Sequence, residues 1–159
     1  MVFLNLANAS ITASCCGDDV HSIASLFKDE PKLTEAFGTG EGVSWGNHDS
    51  CLFCGVAKFF KPTYKGHLLQ DWIPALDGVR EKLETGIQVA DVGCGYGIST
   101  LMLAEAFPNS RFFGFDFHEP SIEKARELAA EKQLDNITFE VARAKDFPGE
   151  GYGLVTFFD

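Results

Sequence analysis

Between residues 87 and 158 short apolar runs alternate with stretches of helical spacing. "IQVADV" (87–92), bounded by glycines, predicts a buried strand. "ISTLMLAEAF" follows as a helix ending near Pro108, and "RFFGFDF" (111–117) is a second strand. "PSIEKARELAAEKQL" has proline in its first turn and Ile122, Ala125, Leu128 and Ala129 on one face, which predicts a helix. "ITFEVAR" (137–143) and "GLVTFF" (153–158) are the third and fourth strands. Ahead of them Leu69, Trp72, Ile73, Leu76, Val79 and Leu83 lie on one stripe of a helix broken or kinked at Pro74 and stopped at Gly86. Alternating strands and helices predict an α/β fold, a Rossmann-like, doubly wound, mostly parallel sheet.

The texture of residues 1–65 is different, so the chain divides at that point into a helical N-terminal segment (1–65) and the α/β part (66–159). Val20, Ile23, Leu26 and Phe27 have helical spacing, with a separate short stretch opening at Pro31. "GTGEGVSWGNHD" (38–49) reads as a loop. Phe53, Phe59, Phe60 and Tyr64 are expected to pack under the α/β part rather than to cover a ligand.

Composition narrows the function. Acidic residues outnumber basic ones by 23 to 13, giving a net charge of −10. Such a chain repels phosphate backbones on average, which argues against nucleic acid as the partner. The longest apolar runs fall far short of a membrane span. The apolar N-terminus lacks a positive n-region, its first basic residue being Lys28, so a cytoplasmic location is expected. Five cysteines (Cys15, Cys16, Cys51, Cys54 and Cys94) without a secretory signal read as free thiols. His48, Cys51 and Cys54 invite a zinc reading, but no second CxxC completes four ligands, and no metal is expected. The two thiols read instead as small apolar residues on one helical face.

The loop Gly93-Cys94-Gly95-Tyr96-Gly97 joins the first strand to its helix, where open α/β sheets bind ligands. Glycines there allow a ligand to reach the backbone and permit positive φ. A dinucleotide fingerprint would need glycine at 98, where the chain has Ile98, so an NAD-dependent oxidoreductase is disfavoured. Asp91 beside the loop also suits a ligand ammonium better than a pyrophosphate. Asp116 ends the second strand and can accept both hydroxyls of a ribose, with Phe117 against a purine face; its alternative is a cap for the helix near Pro120.

Asp91-x-Gly93-x-Gly95-x-Gly97 followed by "GFD" resembles the class I S-adenosylmethionine-dependent methyltransferases. "DEPKLTEAFGTGEGV", "LFCGVAKFFKPTY", "DWIPALDGV" and "FEVARAKDFPG" resemble a branch with a winged-helix domain ahead of the methyltransferase domain. The resemblance runs from about residue 29 to the end. It implies S-adenosyl-L-methionine as cofactor, with its methionine part on Gly93, Cys94, Gly95, Tyr96 and Gly97. It implies Asp91 at the amino end, Thr100 at the carboxylate, Asp116 on the ribose, and Ala144, Lys145 and Asp146 along the adenine. Arg143 stands where many members have an acid, and Gly153 where an aspartate is usual.

The expected activity is methyl transfer to an unidentified acceptor, a small molecule rather than nucleic acid, with no membrane partner. The catalytic base is unassigned. The alternative is a non-catalytic cofactor-binding or regulatory module. Because the family's sheet has seven strands and only four are read here, the outer edge of "GLVTFF" is expected to lack a partner from this chain. On that ground the chain is expected to be a fragment, prone to self-association and inactive alone.

Overall fold

The computed structural model describes residues 3–5 and 20–158. Two compact units divide the chain: Thr12–Pro62, and Met1–Ile11 together with Thr63–Asp159.

In the larger unit a parallel sheet runs in the order β1-β5-β2-β3-β4. Its strands are β1 (Phe3–Asn5), β2 (Gln88–Val92), β3 (Arg111–Asp116), β4 (Ile137–Val141) and β5 (Leu154–Phe157). The four strands legible in the sequence are present, each trimmed by a residue or two. β1 is the addition. It pairs with β5 in parallel, Phe3 opposite Val155 and Asn5 opposite Phe157. The expectation of an unpartnered outer edge on β5 is therefore overturned. A three-residue strand has too short a pattern to be read from periodicity, and the helical spacing further along concealed it.

Central strands buried on both faces must be apolar throughout, and β2 accordingly reads buried from Val89 to Val92. Helices α3 (Val79–Thr85), α4 (Ile98–Ala106) and α5 (Glu119–Glu131) connect the strands. α5 buries Ile122, Ala125 and Ala129, the stripe its sequence predicts, against Leu101 and Phe139. On the other cluster Ala90, Val92, Phe115 and Val155 pack with Phe147 and Tyr152. The helix expected to break or kink at Pro74 is broken there into two elements. Tyr64–Trp72 is π-helical, closing with the Ile73 amide on the Leu68 carbonyl five residues back at 3.0 Å. A turn through Pro74 then leads to α3, whose last turn hands over to Gly86 at φ 118°. Of the expected stripe Ile73, Val79 and Leu83 are fully buried and Leu69, Trp72 and Leu76 half-buried, while Leu68, outside it, is fully buried as well.

The smaller unit holds α1 (Val20–Thr39), a 3₁₀ turn (Trp45–Asn47) and most of α2 (Ser50–Thr63). α1 runs unbroken through Pro31, correcting the separate stretch expected there. Proline deprives the Phe27 carbonyl of its helical partner, and the surroundings of Phe27 are open enough for water to serve, its own side chain being 80% exposed. The apolar spacing of α1 does not mark its packed face. Ile23 and Leu26 are exposed, whereas Ser25 and Asp29 are buried. Close approach explains the inversion: a Cβ on Gly55 of α2 would lie 2.3 Å from Ser22 Oγ, so only small residues fit where these helices meet. Asp29 is satisfied by Lys32 Nζ (2.7 Å), His48 Nδ1 (3.0 Å) and the Asp49 amide (2.9 Å). Those partners, Lys32 foremost, hold its carboxyl down to about 2.

Candidate functional site

β2 and β3 end side by side, with Asp91 opposite Gly114 and Val92 opposite Phe115. The glycine loop leaves β2 and is tied at once to β3: the Gly93 and Cys94 amides both donate to the Phe115 carbonyl, at 2.7 and 3.0 Å. Gly93, Gly95 and Gly97 have φ of 77°, 54° and 68°, in the left-handed region where a side chain strains the backbone. Their surroundings separate them. A Cβ on Gly93 or Gly95 would meet nothing within 4 Å, whereas one on Gly97 would lie 2.4 Å from Phe139 Cζ. Gly97 is thus a packing requirement, and Gly93 and Gly95 line open space. Gly114 of "GFD" belongs with Gly97, because its Cβ would meet Phe139 at 2.4 Å and Cys94 Sγ at 3.0 Å.

Asp116 joins the loop to the second strand. Its Oδ2 accepts the Gly95 amide and its Oδ1 the His118 amide, both at 2.9 Å. The second bond is an Asx turn two residues on, not a bond to the first turn of α5. Carboxylate oxygens each carry two acceptor sites, so both retain capacity after these bonds. Phe117 next to it is 54% exposed.

Asp91 and Thr100 are fully buried. Thr100 and Ser99, in the first turn of α4, donate their hydroxyls to Asp91 Oδ2, and Thr156 of β5 donates to Oδ1 at 3.1 Å. Burial pushes the Asp91 carboxyl above its ordinary range, and the three hydroxyls pull it back. In this arrangement neither side chain opens to a ligand directly; together they lock the start of α4 to β2 and β5. Burial, with Asp91 and Asp116 nearby, also pushes the Cys94 thiol far up, so it stays protonated. Tyr96 is half-buried in the loop. After β4, Arg143, Ala144, Lys145 and Asp146 are exposed, with the Asp146 amide turned back on the Arg143 carbonyl at 3.1 Å. The structure thus gathers Gly93, Gly95, Gly97 and Asp116 by direct hydrogen bonds or packing around one strand end. Ala144, Lys145 and Asp146 follow the neighbouring strand β4.

One group at the strand ends escaped the sequence reading. Phe158, just past β5, stacks on Trp72 with centroids 6.2 Å apart, and Trp72 stacks on His67 at 6.1 Å. Tyr64 meets both Phe158 and Trp72 edge-on. His67 Nδ1 lies 2.6 Å from Asp71 Oδ2. The signal available was a His and an Asp four apart, which helical geometry brings together.

Among the described residues no helix is long and apolar enough to cross a membrane. Residues 83–158 match the family model described as a methyltransferase domain, and this part of the chain has the class I S-adenosylmethionine-dependent methyltransferase fold. The chain is 34% identical over 70 residues to ribosomal RNA small subunit methyltransferase G of Flavobacterium psychrophilum, covering 44% of this chain and 34% of that one. It is 41% identical over 66 residues to tRNA (guanine-N(7)-)-methyltransferase of Rubrobacter xylanophilus, covering 42% and 27%. The matched stretch therefore spans about a third or less of these relatives' length. A similar solved structure is magnesium protoporphyrin IX methyltransferase from Synechocystis with bound S-adenosylhomocysteine, at a TM-score of 0.50 and 22% identity, covering 86% of this chain and 57% of that one. That likeness is one of fold.

Proposed function

We propose that this protein binds S-adenosylmethionine at the Gly93–Gly97 loop and transfers its methyl group to a small acceptor. The observation that carries the reading is the split among the glycines. Gly97 is explained by Phe139, but the missing side chains of Gly93 and Gly95 face open space at a strand end, as a cradle for a ligand would require. The bound cofactor supplies an electrophilic sulfonium methyl, so the protein's task is alignment and exclusion of water.

Within that reading Asp116 holds the ribose hydroxyls while its bond from Gly95 keeps the loop in place. Phe117 lies against the adenine, and Ala144, Lys145 and Asp146 form its edge. Asp91 and Thr100 are positioning residues: they fix the turn into α4 rather than touching the cofactor themselves. His67 is the assigned proton acceptor for the methyl acceptor. A carboxylate only accepts, so the bond to Asp71 puts hydrogen on Nδ1, and the neutral ring then carries its lone pair on Nε2. A chain of stacked rings runs from this imidazole through Trp72 to Phe158, just past β5. The net charge of −10 favours a small acceptor over RNA.

Calorimetric titration with S-adenosylhomocysteine and with NAD tests the assignment. Binding of the former and not the latter is expected; the reverse preference overturns it. A panel of acceptors with labelled S-adenosylmethionine then separates transfer from binding alone. His67→Gln should leave cofactor binding intact while suppressing transfer to acceptors that must lose a proton.

A further inference from the structure

The smaller unit carries a pair of thiols that methyl transfer does not use. Asp49 stands immediately before α2, its carboxylate accepting the Cys51 amide at 2.9 Å in the manner of a helix cap. Cys51 therefore occupies the first turn, where unpaired amides and the helix dipole favour a negative charge. From α1 the Lys28 ammonium reaches 3.1 Å from Cys51 Sγ and 3.1 Å from Asp49 Oδ1. Cys54 lies three residues further along the same helix, and both thiols are half-buried. The apolar reading of Cys51 does not survive that geometry. A thiol serving as a small hydrophobe is expected among apolar groups, but the Cys51 side chain lies against the Lys28 ammonium and also hydrogen-bonds the Asp49 carboxylate.

We propose that Cys51 and Cys54 form a redox-active dithiol whose oxidant is a small disulfide of the glutathione type. Cys51, as thiolate, attacks one sulfur of the disulfide; that S–S bond breaks and one small thiol leaves with the proton Cys51 gave up. Cys54 then attacks the Cys51 sulfur, expelling the second small thiol, which takes the Cys54 proton. Two electrons pass from the cysteine pair to the disulfide, and one intrachain disulfide forms. Lys28 stabilises the attacking thiolate, while Asp49 shares that ammonium. Asp29, Lys32 and His48 form the linked charged groups behind them.

Side chains three apart on a helix have Cβ atoms about 5–6 Å apart, whereas a disulfide brings them to about 3.5–4.5 Å. Cys51 sits in the first turn, where its amide is held by the Asp49 side chain and not by a helical carbonyl, so the closing adjustment falls on that end of the helix. A bond closed against that adjustment is easily reduced, which suits reversible exchange over permanent cross-linking.

The full chain, equilibrated in stepped ratios of reduced to oxidised glutathione, is trapped with N-ethylmaleimide and digested with trypsin. Peptide 33–58 contains Cys51 and Cys54 and no other cysteine. It should pass from doubly alkylated to disulfide-closed as the ratio falls, and return with reductant. Cys54→Ser should accumulate the glutathione adduct on Cys51, and Cys51→Ser should accumulate none on Cys54. Lys28→Gln should slow alkylation of Cys51 by roughly fivefold. A peptide doubly alkylated at every ratio overturns the proposal, as does a disulfide from either cysteine to one elsewhere. Equal alkylation rates of Cys51 and Cys54, untouched by Lys28→Gln, overturn it as well. The first measurement uses the unaltered chain and does not depend on any variant folding.

Discussion

Three glycines of one loop are equivalent in sequence and unequal in structure. Gly97→Ala places a Cβ against Phe139 at positive φ. Strain of about 1–2 kcal/mol adds there to an overpacking cost of about 1–3 kcal/mol, so a clear drop in unfolding temperature is expected by calorimetry. Gly93→Ala carries only the strain, about 1–2 kcal/mol, yet fills the open space of the proposed cradle. It should fold and fail to bind S-adenosylhomocysteine. Equal losses of stability in the two variants, with binding kept in Gly93→Ala, would remove the distinction. Asp116→Ala deletes the acceptor for the Gly95 and His118 amides, so it should loosen the loop as well as remove the proposed ribose contact. A loss of about 1.5–3 kcal/mol in cofactor affinity per charged bond is expected at most. At this scale the sequence was legible where chemistry is local to a motif: glycines, an acid, a strand end. It was silent on Phe139, which lies far along the chain and decides what two of the glycines are for.

At the level of elements, β1 is the consequential addition. Pairing of Phe3–Asn5 with Val155–Phe157 gives the β5 edge a partner, so the argument for a sticky, marginal sheet loses its main physical ground. Deleting residues 1–5 should raise hydrogen exchange of the β5 amides while leaving β3 and β4 protected, since β1 touches neither. Unchanged exchange at 154–157 would mean that the short strand contributes nothing. The π-helical segment is the other element the pattern could not foresee. Apolar spacing reports which side of a helix is buried, and Ile73, Val79 and Leu83 satisfied it after the turn at Pro74, whereas in the π-helical pitch before it full burial fell to Leu68 in place of the expected Leu69. On α1 the same rule misled, because a contact through Ser22 and Gly55 replaces burial of Ile23 and Leu26.

For the whole molecule, charge and pH give two expectations. A net charge of −10 predicts weak binding of RNA that falls further as salt is lowered and repulsion is unscreened, the opposite of a true RNA-binding slope; filter binding across a salt series checks it. Asp29 titrates at about 2 in the folded chain against 3.8 ordinarily, so the folded state binds its proton less readily than the unfolded one. Its stabilisation is therefore complete above about pH 4 and is lost as the pH falls toward 2. Helical content followed by circular dichroism should decline through that window, and Asp29→Asn should flatten the decline at a lower starting stability. What the sequence determined by itself was the alternation of strands and helices, the strand end that carries the glycine loop and the acid beside that loop. Each of these is set by neighbours within a few positions. Tertiary structure alone decided which groups meet across long stretches of chain. It buried Asp91 beneath three hydroxyls, assigned Gly97 to Phe139, brought β1 to the sheet edge and put Lys28 on Cys51. Such pairings depend on packing and burial between elements, which a linear pattern of apolar and polar positions does not encode.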